Sequence, residues 1–201
     1  MRYLIFIVIL SIFATNGVAQ EETLLKGDIK SGGFGGPVIK VTSIHNQSAV
    51  MIGGRGGWII NHSLVIGGGG YGVVNEINAP EGVLPNQGPL DIEFGYAGLE
   101  LEYIFHPLSL LHFSIYSLFG GGDNHFVKDV GPVSESNQTT GESDFVFVLE
   151  PAVNAELNVI KWFRLNAGIS YRLVTGVEQE ELDESDFSGV AGILTFKFGK
   201  F

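Results

Sequence analysis

The sequence predicts an all-β protein that crosses a membrane as a closed antiparallel barrel of eight strands. Three observations carry the prediction. Segments alternate apolar and polar residues with a period of two, their connections alternate between short and long, and an export signal precedes a cysteine-free chain. The alternation is cleanest over residues 144–176. In the first arm Phe145, Phe147, Leu149, Val153, Ala155, Leu157 and Val159 share one parity, with Glu150, Asn154, Glu156 and Asn158 on the other. In the second arm Phe163, Leu165, Ala167, Ile169, Tyr171 and Leu173 alternate with Arg164, Asn166, Ser170 and Arg172. One apolar and one polar face mark β-strands. A soluble sandwich buries the apolar face, whereas a membrane barrel turns it to lipid and keeps the polar face inside.

Composition and the N-terminus favour the membrane. Arg2, an apolar run over residues 3–13 and Gly17-Val18-Ala19 form a secretory signal peptide, residues 1–19, cut before Gln20. The run is too short for a transmembrane helix. The absence of cysteine excludes lipid attachment at cysteine, disulfides and thiolate metal sites. No later apolar run approaches the roughly 18 residues of a membrane helix. Charged residues make up 16% of the chain, against about 25% in soluble domains, and mean hydropathy is positive. A net charge of −11 argues against nucleic acid as a partner. The expected address is the outer membrane of a Gram-negative bacterium.

Residues 20–31 are polar and read as a short periplasmic lead-in, and the barrel occupies 32–201. The first strand is expected over 32–43, with Ile39 and Val41 opposite Lys40 and Thr42, and with Pro37 near an end or a bulge. A tight turn at 45–48 leads to the second strand, 49–60, where Val50, Ile52, Trp58 and Ile60 lie opposite Arg55. The third, 64–74, contains four consecutive glycines from Gly67 to Gly70, which hide its inward face. A loop over 75–90 holds Pro80 and Pro85. The fourth strand, 91–105, sets Gly95, Ala97, Leu99, Leu101 and Tyr103 against Tyr96, Glu100 and Glu102. The fifth, 109–120, sets Leu111, Phe113, Ile115 and Phe119 against His112, Ser114 and Tyr116. After a long loop over 121–143 come the sixth and seventh strands, joined around Ile160-Lys161-Trp162, with Pro151 requiring a bulge. A last loop over 177–186 precedes the eighth strand, 187–201, where Val190, Leu194, Phe196 and Phe198 lie opposite Lys197.

Each segment is long enough for the roughly 9–11 residues of a tilted membrane strand. Connections after the second, fourth and sixth strands are short and those after the third, fifth and seventh are long, as periplasmic turns and outer loops would be. Aromatic girdles are expected at Trp58, Phe105, Trp162, Phe163 and Phe198 on one rim, and at Tyr71, Phe94, Phe119 and Phe145 on the other.

With its signal peptide, eight alternating segments, long outer loops and C-terminal Thr195-Phe196-Lys197-Phe198-Gly199-Lys200-Phe201, the chain resembles the small outer-membrane β-barrels of the OmpA/OmpX type. The resemblance is architectural and spans the mature chain, without a periplasmic peptidoglycan-binding domain after the last strand. It implies that Phe196, Phe198 and Phe201 belong to the signal read by the barrel-assembly machinery. Phe201 departs from the pattern, since its own parity carries Gly199, Lys197 and Thr195. Either Gly199 marks a bulge, or Phe201 is not the family's terminal aromatic in register.

If the apolar faces meet lipid, Lys40, Arg55, Arg164, Arg172 and Lys197 point inward with Glu100, Glu102, Glu150 and Glu156. An eight-stranded interior is just wide enough for side chains to fill, so these residues are expected to form a lumen ion-pair network, completed by Tyr96, Tyr116, Asn154 and Asn166. The alternative is a narrow pore or small-solute path along the same residues, made pH-sensitive by His112. His112-Phe113-Ser114 loosely resembles the His-x-Ser of outer-membrane lipid A deacylases, but its parity points into the lumen near the periplasmic end. No catalysis is expected, and a lipid-modifying enzyme is the third reading. His45 and His62 read as solvated turn residues. The glycine runs lack a phosphate-loop context. They permit sharp bending, make room for Arg55 and Tyr71, or form a smooth outward patch where a partner protein or lipid docks. Glu178, Glu180, Glu181, Asp183, Glu184 and Asp186 form an acid-rich loop, either a solvated charge run or a weak Ca²⁺ or Mg²⁺ site at the lipopolysaccharide surface. No cofactor and no structural metal are expected. The reading is of a structural or interaction protein acting through its outer loops and lipid-facing surface. Its expected partners are outer-membrane lipid, lipopolysaccharide, the assembly machinery and an unidentified membrane protein.

Overall fold

The computed structural model describes residues 29–80, 89–128, 139–178 and 182–201, the side chains of 139–142 excepted. The expected signal peptide, most of the expected lead-in, Glu180 and Glu181 lie outside the described residues. Within them the strands are β1 (Ser31–Ile44), β2 (Gln47–Ile60), β3 (Leu64–Val73), β4 (Leu90–Phe105), β5 (Leu111–Lys128), β6 (Thr139–Ile160), β7 (Phe163–Thr175) and β8 (Gly189–Lys200). A one-turn helix, α1 (Glu184–Phe187), precedes β8. Each strand pairs antiparallel with its sequence neighbour, and β1 pairs with β8, closing the barrel.

Two expectations about loops change. Residues 121–128 and 139–143, expected in the long loop, extend β5 and β6. Their backbones pair with a neighbour that is already ordered: β4 runs outward to Leu90 and carries β5 beside it through Asp91↔Val127 and Leu90↔Lys128. The last loop is not merely solvated, because Leu182 is buried, and Phe187, expected to open the eighth strand, is the buried last residue of α1, with β8 starting at Gly189. At the β1–β2 turn, His45 and Asn46 both have positive φ (46° and 58°). That is the geometry of a two-residue hairpin whose twist matches its strands.

Alternation sorts the side chains as a membrane barrel requires. Leu99 is 73% exposed, Phe145 65% and Phe113 57%, while Lys40, Glu150 and Arg172 are 0% exposed. On β3 the structure assigns the face the glycine run conceals, with Val65 and Tyr71 inward and Ile66 outward. Phe94, expected in the outer girdle, is buried inside the barrel, and so is Tyr71, for which the sequence offers either the girdle or the interior, because both share the inward parity of their strands. Trp58, Phe105, Trp162 and Phe198 are exposed on the opposite rim.

Neither proline makes the expected bulge. The β6–β7 ladder skips from Leu149↔Leu173 to Ala152↔Ser170 with its register unchanged, and β5 still pairs Ser117 with Pro151. The β1–β8 ladder likewise skips from Gly35↔Phe198 to Val38↔Thr195 across Pro37. The missing N–H interrupts the rungs locally, and the outward ring needs no extra residue. At the same seam Gly36 is required by close approach, since a Cβ there would lie 1.7 Å from the Phe196 carbonyl oxygen.

The lumen and outer wall as candidate functional site

The lumen is layered. At the periplasmic end Phe34, Ile59, Val65 and Ile104 form an apolar cluster, with Phe201 packed against it. Gly199 pairs regularly with Phe34, so no bulge shifts the parity of β8. Phe201 therefore keeps inward parity. Its ring centroid lies 6.5 Å from that of Phe34 and 4.0 Å below the Arg164 guanidinium. Phe201 is thus not an outward terminal aromatic. Phe198 is outward and stacks on Phe163 at 5.0 Å, and Trp162 lies 6.2 Å away.

Above this floor the charged residues meet. Glu156 accepts from Arg164 Nη1 at 2.9 Å, lies 2.5 Å from Lys197 Nζ and 3.1 Å from His112 Nε2, and also accepts from Asn166. Lys197 bridges to Glu102, which Arg55 Nη2 also reaches at 3.1 Å. Arg55 Nε donates to Glu100 at 2.7 Å, and Tyr71 Oη donates to the other oxygen of Glu100. Glu150 accepts from Lys40 at 2.7 Å and from Tyr96 and Ser170 at 2.5 Å each. Lys40 Nζ stands 3.4 Å from the Tyr71 ring centroid, which joins the Glu150 group to the Glu100 group. Gly168 leaves room for this packing: a Cβ there would lie 2.1 Å from Asn154 Oδ1.

The sequence places these residues on one parity but not in these pairs. Neither Ser170 nor Tyr71 is legible as a carboxylate partner, because pairing depends on strand stagger. His112 and Ser114 are both buried inside. The His112 ring is used between Glu156 and the Ser109 carbonyl and faces the lumen rather than the lipid. Arg172 differs from the other lumen cations. Its Nε donates to the Phe187 carbonyl at 2.6 Å and its Nη1 to Met51 Sδ at 3.1 Å, with no carboxylate in reach among the described residues.

The outer mouth is occupied by the segment carrying α1. Phe187 packs on Phe94 with ring centroids 5.0 Å apart, within an apolar cluster that includes Ile44, Ile77 and Val146. His45 in the β1–β2 turn meets Asp186 at 3.0 Å rather than standing free in solvent. The carboxylates of Asp183, Glu184 and Asp186 are used locally. Asp186 accepts the Asp183 N–H, Glu184 accepts the Gly176 N–H, and the Glu178 N–H goes to Asp144. Among the described residues no group of three or more His, Asp or Glu is placed to hold a metal ion.

Outside, the smallest side chains fall in one band. Pro37, Gly54, Gly70, Ala97 and Gly121 are aligned across β1 to β5. Gly56 and Gly68 adjoin them, as do Gly72 and Gly95. The band ends at Phe145 in a depression of about 430 Å³ that also touches Gly95, Ala97 and Asp123.

An eight-stranded barrel with an apolar outer wall and a filled polar lumen is the architecture of the small outer-membrane barrel proteins. Among solved structures the chain is similar to Neisserial surface protein A, with a TM-score of 0.53 at 16% identity, covering 87% of this chain and 100% of that one. It is also similar to the N-terminal β-barrel domain of Pseudomonas aeruginosa OprF, with a TM-score of 0.50 at 10% identity, covering 84% of this chain and 96% of that one. At such identities the likeness is one of fold. No family model and no curated protein matches the sequence.

Proposed function

We propose that the protein is an integral outer-membrane barrel that does not conduct, and that it acts as a structural or interaction protein through its outer loops and outward surface. The observation that carries this reading is the filled lumen. Leu182 and Phe187 pack into the outer end, Phe201 and Phe34 into the periplasmic end, and charged side chains fill the space between them. The exposed Leu99, Phe113 and Phe145 support lipid as the surrounding medium, since water-exposed apolar surface of this extent is unusual on a soluble monomer. Export by the signal peptide, folding by the assembly machinery and contact with lipopolysaccharide belong to the same reading. So do the absence of enzymatic activity and of a nucleic-acid partner, and the band of small residues suits close approach by another membrane protein.

The test has two parts. Detergent-extracted protein should migrate faster unheated than boiled, as a folded barrel does. In planar bilayers it should give no reproducible conductance; channels abolished by Arg172→Ala would overturn the reading in favour of the narrow pore.

A further inference from the structure

The described charges inside the barrel do not cancel. Five cations, Lys40, Arg55, Arg164, Arg172 and Lys197, are buried with four carboxylates, Glu100, Glu102, Glu150 and Glu156. Four of the cations have a carboxylate oxygen within 3.1 Å, and the unmatched one is Arg172. It is 0% exposed, and its Nη2 has no hydrogen-bond partner among the described residues. The rings of Phe94 and Tyr96 lie 5.2 and 5.7 Å from its guanidinium carbon. A thioether, a carbonyl, two ring faces and the Tyr96 hydroxyl, which is already committed to Glu150, are weak compensation for a full positive charge removed from water. Asn124, near the outer end of β5 and also 0% exposed, leaves both amide atoms unpartnered. The outer half of the lumen therefore combines an excess positive charge with unmet N–H donors inside an apolar collar.

We propose that Arg172, through its unpartnered Nη2, is an intraluminal binding site for a small monovalent anion of halide size. The charge excess sets the valence at one. The packing limits the size: Met51, Phe94 and Phe187 are all buried around the guanidinium, so the ligand is a single atom. An organic acid would require a chamber. The anion supplies the missing charge-assisted partner, and it binds the folded barrel because Arg172 is held there by Phe187 and Met51. This site is independent of whether the barrel conducts, since it requires only that the folded lumen hold the ion.

The test is the thermal midpoint of the mature barrel, extracted in detergent, in sodium chloride or bromide against sodium gluconate at equal ionic strength. Wild type should unfold about 3 °C higher in halide, as expected when ligand exceeds its dissociation constant about tenfold. Arg172→Met should lose that increment, and Arg164→Gln, a cation already paired with Glu156, should keep it. Equal wild-type midpoints in the two salts, or the same increment in Arg172→Met, would overturn the proposal. Should Arg172→Met fail to assemble, bromide-soaked wild-type crystals decide the matter. An anomalous peak within hydrogen-bonding distance of Nη2 upholds the site, and none there removes it.

Discussion

The two halves of the lumen solve the same problem differently. In the periplasmic half Arg55, Arg164 and Lys197 share Glu100, Glu102 and Glu156, so the charges balance within one connected group. Among the described residues of the outer half Lys40 and Arg172 have only Glu150, which Lys40 takes at 2.7 Å, and Arg172 leans on a carbonyl, a sulfur and two rings. The difference teaches that filling a lumen and neutralising it are separate tasks. Here one half does both, and the other fills its space with Phe94, Phe187 and their apolar neighbours.

Breaking the balanced half should have the largest effect. Glu156→Ala strands Arg164, leaves Lys197 to share Glu102 with Arg55, and should cost about 3–5 kcal/mol, read as a lower urea midpoint for loss of fast gel migration. Next comes the apolar half, where Phe187→Ala removes the ring packed on Phe94. It should cost about 3 kcal/mol in the same assay, with the barrel still folded. Arg172→Met should cost only about 1–2 kcal/mol in halide-free buffer, because it strands the Phe187 carbonyl but no carboxylate. A loss as large as that of Glu156→Ala would mean that the halves are not distinct. The smallest effect belongs outside the lumen altogether. A Cβ on Gly54 meets nothing closer than 3.6 Å, so Gly54→Ala should change stability by no more than about 0.5 kcal/mol. If it lowers co-purification of a membrane partner, the band's smallness serves contact rather than folding.

Much of this was legible in the sequence, for a physical reason. Wherever side chains are large, a barrel wall forces strict alternation, so Glu150, Glu156, Arg164 and Arg172 could be placed inside from parity alone. Legibility failed where that signal vanishes. Gly120-Gly121-Gly122 carries no side chain to show a face, so the outer half of β5 resembled a loop. Tyr71 follows a glycine run, which left it open between rim and interior, and Phe94 lies next to a strand end and reads as part of a rim it does not occupy. Phe187 follows a segment of acids and read as the start of the eighth strand, but it ends the one-turn helix, and its burial depends on Phe94, far away in sequence. The pairing of each cation with its carboxylate is a property of stagger between strands, which no single strand encodes.

Pro37 bears on how such a wall is closed. The seam between β1 and β8 has seven paired positions, against fourteen between β1 and β2. It is interrupted where Pro37 offers no N–H and Gly36 presses on Phe196. The last join a cooper makes in a cask is also its weakest. Amide protons of Val38 to Val41 should exchange sooner than their neighbours on β2, and the barrel should both shut and come apart along that one line.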